Sequence, residues 1–201
     1  INSFNEELKP GGGTLNTLNR SDLSNFDGRI KDCDVIVACD VTNPLTGING
    51  ASFVYGAQKG GGLKDLKILD ESLKKYAEII QSTFNKNIDT IPGAGAAGGT
   101  GAGLLAFLNA KLVNGIDLIL ETLQLESHIK KADLVITGEG KIDKQTLNGK
   151  AILGISKMAK KHRVPVIVIT GKIGEDIEDI YNMGVTAIYS IVNQPMALSF
   201  A

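Results

Sequence analysis

The chain has 201 residues, of which 43% are hydrophobic and 21% charged, enough to bury a core and too apolar for a disordered or fibrous protein. Its 21 basic and 22 acidic residues leave a formal net charge of -1. No overall field therefore favours nucleic acid or an anionic membrane, and a small or neutral partner is expected. No run reaches membrane-span length, and the opening INSFNEELKPGGG is too polar for a signal peptide.

The two cysteines are Cys33 and Cys39. On one extended segment they would lie roughly 20 Å apart, beyond disulfide reach, so reduced thiols and a cytoplasmic location are expected. The chain opens on Ile1 instead of methionine, as processing, proteolysis or trimming would leave it.

Residues 1–20 carry a glycine triplet after Pro10 and no clear period, predicting a loop or short arm that can end in a helix. CDVIVAC then reads as a buried strand ending at Asp40, after which Pro44, Gly47 and Gly50 enforce a loop. From Leu63 to Phe84, Leu66, Leu69, Leu73, Tyr76 and Ile80 recur at three- and four-residue steps, predicting an amphipathic helix. IPGAGAAGGTGAGLLAFLNAKLV passes from glycine-rich loop into a second helix, and DLILETLQLESHIKKA predicts a third. After Ala132 the pattern alternates: strand DLVIT, loop GEGKIDKQTLNG, helix KAILGISKMAKKH, strand PVIVIT, loop GKIGED, a short helix, and strand VTAIYSIV. Strands separated by helices predict an α/β fold with a parallel sheet, and a domain boundary is placed near residue 125.

Ligands of open α/β sheets gather at the carboxyl ends of strands, and three such loops are polar here: Asp40–Asn43, Gly138–Gln145 and Thr170–Gly174. The second holds Glu139, Lys141, Asp143, Gln145 and Thr146, flanked by Gly138, Gly140 and Gly149. Glycines let a backbone approach phosphate, carboxylates hold a divalent cation or accept a proton, and lysine neutralises charge, which together are parts of a phosphoryl-transfer site. Helix capping and strand exit account for the same residues equally well. Lys150 and the basic residues from Lys157 to Arg163 fit a solvated face or a helix-dipole complement.

Gly93, Gly95 and Gly98 formally match GxGxxG, but NKNIDTIP before them is no convincing strand. The small residues 93–103 are better read as a tight helix entry whose amides bind an anion or which lets another backbone approach closely. There is no GxxxxGK[ST], GxSxG, HExxH or CxxC, so a P-loop, a hydrolase elbow and a zinc protease lack their parts. His128 and His162 are expected on the surface near helix ends.

CDVTNPLTGINGASFVYGAQKGG, PGAGAAGGTGAGLLAFL and ADLVITGEGKIDKQTLNGKAILGISKMAKK, in this order, closely resemble the bacterial type of glycerate kinase, and the resemblance covers essentially the whole chain. It implies transfer of the γ-phosphate of ATP to glycerate with Mg²⁺, on two α/β domains with the site between them. One domain would be Rossmann-like and discontinuous, the other inserted within it; residues 1–125 would belong to the inserted domain and 126–201 to the Rossmann-like one. Members of the family are nearly twice as long, so the chain resembles their C-terminal half, and NQPMALSFA resembles the start of their last helix. By that resemblance the chain alone is an inactive fragment lacking the N-terminal half of its polypeptide.

Carried over by position, Asp40, Asn43, Gln58 and Lys59 line one side of the site, and Glu139, Asp143 and Gln145 the other. The resemblance casts Asp40 and Asp143 as catalytic: Asp40 orients glycerate or accepts the hydroxyl proton, while Glu139 or Asp143 positions Mg²⁺. Gly95, Gly98, Gly99 and Gly138 would approach phosphate. Lys141 stands where the family usually has arginine and would lack its planar fork, whereas Thr46 and Ile48 fall at variable places. The resemblance leaves open the 2- or 3-hydroxyl as acceptor, and the oligomeric state. Two other classes stay in view: a non-catalytic ligand-binding module or partner-completed subunit, and, on Gly93–Gly98 alone, a nucleotide-dependent oxidoreductase.

Overall fold

The computed structural model describes residues 1–143, 146 and 151–192. Gln145, Gly149, Lys150 and the terminal NQPMALSFA, each given a part above, lie outside the described residues. The chain divides into two compact units, Ile1–Val113 and a second beginning at Asn114. The division falls ahead of the boundary expected near residue 125 because α4 (Gly115–Thr122) packs on α6 (Ala151–Lys161). That packing needs a glycine: a Cβ on Gly154 would stand 2.9 Å from Leu120 Cδ1 and 3.1 Å from Ile116 Cγ1.

In the first unit the opening arm ends in a 3-10 turn, Gly12–Thr17, and a second such turn spans Gly28–Asp32. The strand expected in CDVIVAC is short, β1 (Ile36–Ala38), and not buried, with Ile36 51% exposed. Its only partner among the described residues is β2 (Lys111–Val113), in parallel register Ile36 to Lys111 and Ala38 to Val113. β2 itself corrects the reading of residues 111–113 as helix. α3 (Thr100–Phe107) stops early, and Asn109 at φ 50 turns the chain into the strand through the left-handed region that asparagine tolerates.

The amphipathic helix forms as its period predicts, α2 (Leu63–Phe84), with the Asp65 carboxylate accepting the Gly62 N–H at 3.0 Å and Asn85 ending it in the left-handed region. Its buried face carries Leu73 and Ile80 into a core shared with Leu45, Ala51 of α1 (Ala51–Tyr55), Ile88, Ala94 and Ala102. Phe84 and Phe107 close that core edge to face, with centroids 5.2 Å apart.

The second unit is a three-stranded parallel sheet in the order β3 (Val135–Ile142), β4 (Val166–Ile173), β5 (Ala187–Ser190), with α6 and α7 (Glu178–Asn182) in the connections. The fold is thus mixed α/β with parallel sheets. The single helix expected over 117–132 is two, α4 and α5 (Leu125–Ile129), broken where Gln124 takes φ 50. Val166, Val168 and Thr170 are buried in β4, and the first two join Ile142, Ile152, Ala159 and Ile180 in the core. Ile136, Ile169 and Tyr189 are exposed.

Glu126 ties α5 to the end of α6, taking Lys161 Nζ at 2.8 Å and His162 Nε2 at 2.6 Å on one carboxylate oxygen. His162, expected on the surface, is therefore half-buried, while His128 is exposed. The Lys161 hydrogen bond, and next that of His162, lower the Glu126 carboxyl from its ordinary 4.5 to about 2. A carboxyl depressed by folding stabilises above its unfolded pKa, and that stabilisation is lost as pH falls through the folded one. Glu126→Gln should therefore flatten the acid limb of stability between about pH 4.5 and 2, read as urea midpoints at stepped pH; an unchanged limb would show that the tie contributes nothing.

Candidate functional site

In the first unit the loop that leaves β1 is held through Asn43, Leu45, Thr46 and Gly47. The Asn43 carbonyl accepts the N–H groups of Gly93 at 3.2 Å and Gly95 at 3.1 Å. Its side chain donates through Nδ2 to the Asn49 carbonyl at 2.9 Å and accepts the Tyr55 hydroxyl at 2.6 Å. Further along, Leu45 N–H donates to the Asp89 carbonyl at 2.8 Å, Thr46 Oγ1 to Asp89 Oδ1 at 2.7 Å, and Gly47 N–H to Asp70 Oδ1 at 2.8 Å. Asp70 is 3% exposed on the inner face of α2 and pairs with Lys74 at 3.3 Å. A buried carboxylate is tolerable only with such partners, and here they are the loop backbone and a lysine. Asp40 and Thr42 stand exposed at the base of this loop.

The glycine-rich stretch divides by function. A Cβ on Gly95 would lie 2.2 Å from the Pro44 carbonyl oxygen, one on Gly93 2.8 Å from Leu112 Cδ1, and one on Gly101 2.2 Å from the Gly93 carbonyl oxygen. Gly95 and Gly101 permit close backbone approach, Gly93 makes room for Leu112 and Cys39, and the Gly95 N–H donates to the Asn43 carbonyl. Gly98 differs, with φ +72 and nothing within 4 Å of a built Cβ, whereas Gly99 packs against Leu45 and Leu73. Residues 85–95 run through turns without a strand, so the dinucleotide reading of Gly93–Gly98 loses the strand it requires.

Gln58 and Lys59 lie exposed on a 3-10 turn, Ala57–Lys59, which Gly60 ends at φ 91. Lys59 and Gly98 share the wall of a cavity of about 150 Å³ with Ser52, Tyr55, Leu69 and Leu73. The structure thus gathers Asn43, Lys59 and Gly98 around Tyr55, a residue to which the sequence analysis gave no role.

In the second unit the expected loops at 138–145 and 170–174 are partly strand. Glu139 pairs with Thr170 and Lys141 with Lys172. Gly138 and Gly171 serve strand approach, since a Cβ on either would come 2.8 Å from a carbonyl oxygen of the neighbouring strand, Ile169 or Gly140 respectively. Glu139 is half-buried with Oε2 withdrawn from solvent. Lys141 Nζ meets Asp143 Oδ2 at 2.6 Å just past the end of β3. The Asp143 backbone is fixed: its N–H donates to Thr146 Oγ1 at 3.1 Å, its carbonyl accepts the Thr146 N–H at 2.9 Å, and Gly174 packs against its Cβ. Thr146 is fully buried, and its part in holding Asp143 was visible only as a polar residue three positions on.

No group of three or more His, Cys, Asp or Glu side chains is close enough to hold a metal ion among the described residues. Mg²⁺ in phosphoryl transfer needs less, since one or two carboxylates, water and the phosphates complete its octahedron. Glu139 and Asp143 are hard oxygen donors of that kind. Both cysteines are free thiols, and no described helix is long and apolar enough to cross a membrane.

Parallel strands with carboxylates and a lysine at their carboxyl ends define a mixed α/β protein with polar side chains where open α/β sheets gather their ligands. The profile of the Glycerate kinase family matches residues 1–201, and the chain belongs to that family. It is 48% identical over 186 residues to the Glycerate 2-kinase of Escherichia coli, covering 92% of this chain and 49% of that protein. With the Glycerate kinase of Halalkalibacterium halodurans it shares 47% over 196 residues, 98% of this chain and 52% of the relative. A crystal structure of a Salmonella typhimurium protein assigned as glycerate kinase 2 superposes with a TM-score of 0.84 at 40% identity, over 100% of this chain and 52% of that one. The chain spans about half the length of the curated relatives it matches.

The glycine geometry makes a contrast that can be measured. Gly95→Ala forces a methyl against the Pro44 carbonyl and should lower stability by about 1–3 kcal/mol, read as a urea midpoint. Gly98→Ala meets open space and should suffer only the smaller left-handed strain; equal losses at the two positions would contradict this division.

Proposed function

We propose that the protein phosphorylates glycerate with ATP as phosphoryl donor. Membership of the Glycerate kinase family along residues 1–201 carries this reading. The polar groups support it. Asp40, exposed beside a rigid loop, orients glycerate or takes the proton of the attacking hydroxyl, and Lys59 beside Gly98 offers positive charge to a carboxylate or phosphate. In the second unit Glu139 and Asp143 are the residues that would hold Mg²⁺, with Lys141 neutralising phosphate charge. Magnesium, when bound, would offset the negative charge of the phosphates during transfer. Because the chain spans about half of its relatives, the proposal concerns the full-length protein, in which residues outside this chain also contribute.

The test is ADP release from MgATP by the full-length protein with and without D-glycerate. Glycerate-dependent release is expected, and Asp40→Asn should reduce it by roughly 10²–10⁴ if Asp40 is the proton acceptor. No release would instead favour a binding module, release without glycerate dependence would remove glycerate as the acceptor, and near-normal turnover in the variant would remove Asp40 from the chemistry.

A further inference from the structure

We infer that Tyr55 is a positioning residue of the substrate site, setting the loop from Asp40 to Gly50 through Asn43; the catalytic part of this inference rests on the glycerate kinase reading above. Tyr55 ends α1 and donates its hydroxyl to Asn43 Oδ1 at 2.6 Å. That bond fixes the amide's orientation, because Nδ2 must then face the Asn49 carbonyl, 2.9 Å away. With both ends of the side chain engaged, the Asn43 carbonyl is directed at the amides of Gly93 and Gly95. The hydroxyl therefore governs three segments: the loop leaving β1, its return at Asn49, and the glycine turn before α3.

The ring has a second position of consequence. It lines the cavity whose wall also carries Lys59 and Gly98. One side chain thus joins the loop that presents Asp40 to the wall that presents a cation and an open glycine. Elsewhere the loop is anchored by Asp70 and Asp89, which hold Gly47, Thr46 and Leu45. Those anchors sit at the tip, whereas Asn43 is close to the base, three residues from Asp40. Loss of the hydroxyl should leave the tip in place and free the base, and small displacements of a positioned group cost about a hundredfold when they reach the reacting atoms.

The experiment is Tyr55→Phe and Asn43→Ala, singly and together, in the full-length protein, with two readouts. Amide exchange should accelerate at Gly93 and Gly95 in each variant but not at Gly47, whose N–H is held by Asp70. Glycerate kinetics should show kcat/KM for glycerate falling roughly ten- to a hundredfold with KM for MgATP and the melting temperature little changed, and the double variant no worse than Asn43→Ala. Unchanged exchange at Gly93 and Gly95 in Tyr55→Phe would overturn the clamp. Accelerated exchange with unchanged glycerate kinetics would overturn its positioning role. If the unaltered protein shows no glycerate turnover while exchange responds as expected, the clamp stands, and the kinase reading with the catalytic half of the inference falls.

Discussion

The first unit depends on one backbone junction, the Asn43 carbonyl accepting the amides of Gly93 and Gly95. Two polar loops far apart in sequence are locked together there, and no side chain could be added at Gly95, because Pro44 already occupies the space a Cβ would need. The apolar core forms around this junction: Leu45, two residues after Asn43, and Ala94, between Gly93 and Gly95, are both fully buried. A loop that closes on another loop in this way satisfies backbone groups that would otherwise need water. It can then remain rigid while it presents polar residues at its base.

On the proposed kinase reading, rigidity at this place has a chemical meaning. A kinase site works chiefly by positioning groups and stabilising charge, since the transferred phosphoryl group needs little covalent help from the protein. Side chains on a loop achieve such positioning only when the loop is over-determined. Asp70 illustrates what the molecule accepts for it: a carboxylate withdrawn from water on the inner face of a long helix, paired with Lys74 and used to hold a single N–H of the loop tip. The second unit reaches the same end differently. There Lys141 and Asp143 sit where paired strands run out, and the backbone of Asp143 is tied to Thr146 and Gly174.

Much of the fold was legible from periodicity. The spacing of Leu66, Leu73 and Ile80 marked α2 to its ends, and the alternation after Ala132 marked β3, α6, β4 and β5. Errors fell where tertiary pairing overrode local pattern. β3 and β4 continue through Gly138 and Gly171 because each strand supplies the other's hydrogen bonds, so residues that look like loop become ladder. β2 could not be read at all, since Lys111–Val113 is a strand only by virtue of β1 beside it.

The sequence by itself determined the family and the α/β class, because motif order and hydrophobic period are local properties of the chain. Only the tertiary structure decided what each glycine and each polar side chain does. Gly95 and Gly98 are alike on paper, yet one lies under a carbonyl and the other beside open space. Asn43 and Tyr55 gave no sign of acting together, because a hydrogen bond between them exists only once α1 has folded back over the loop. Composition and spacing carry no information about which neighbours compete for the same volume or the same donor. That competition is settled by packing.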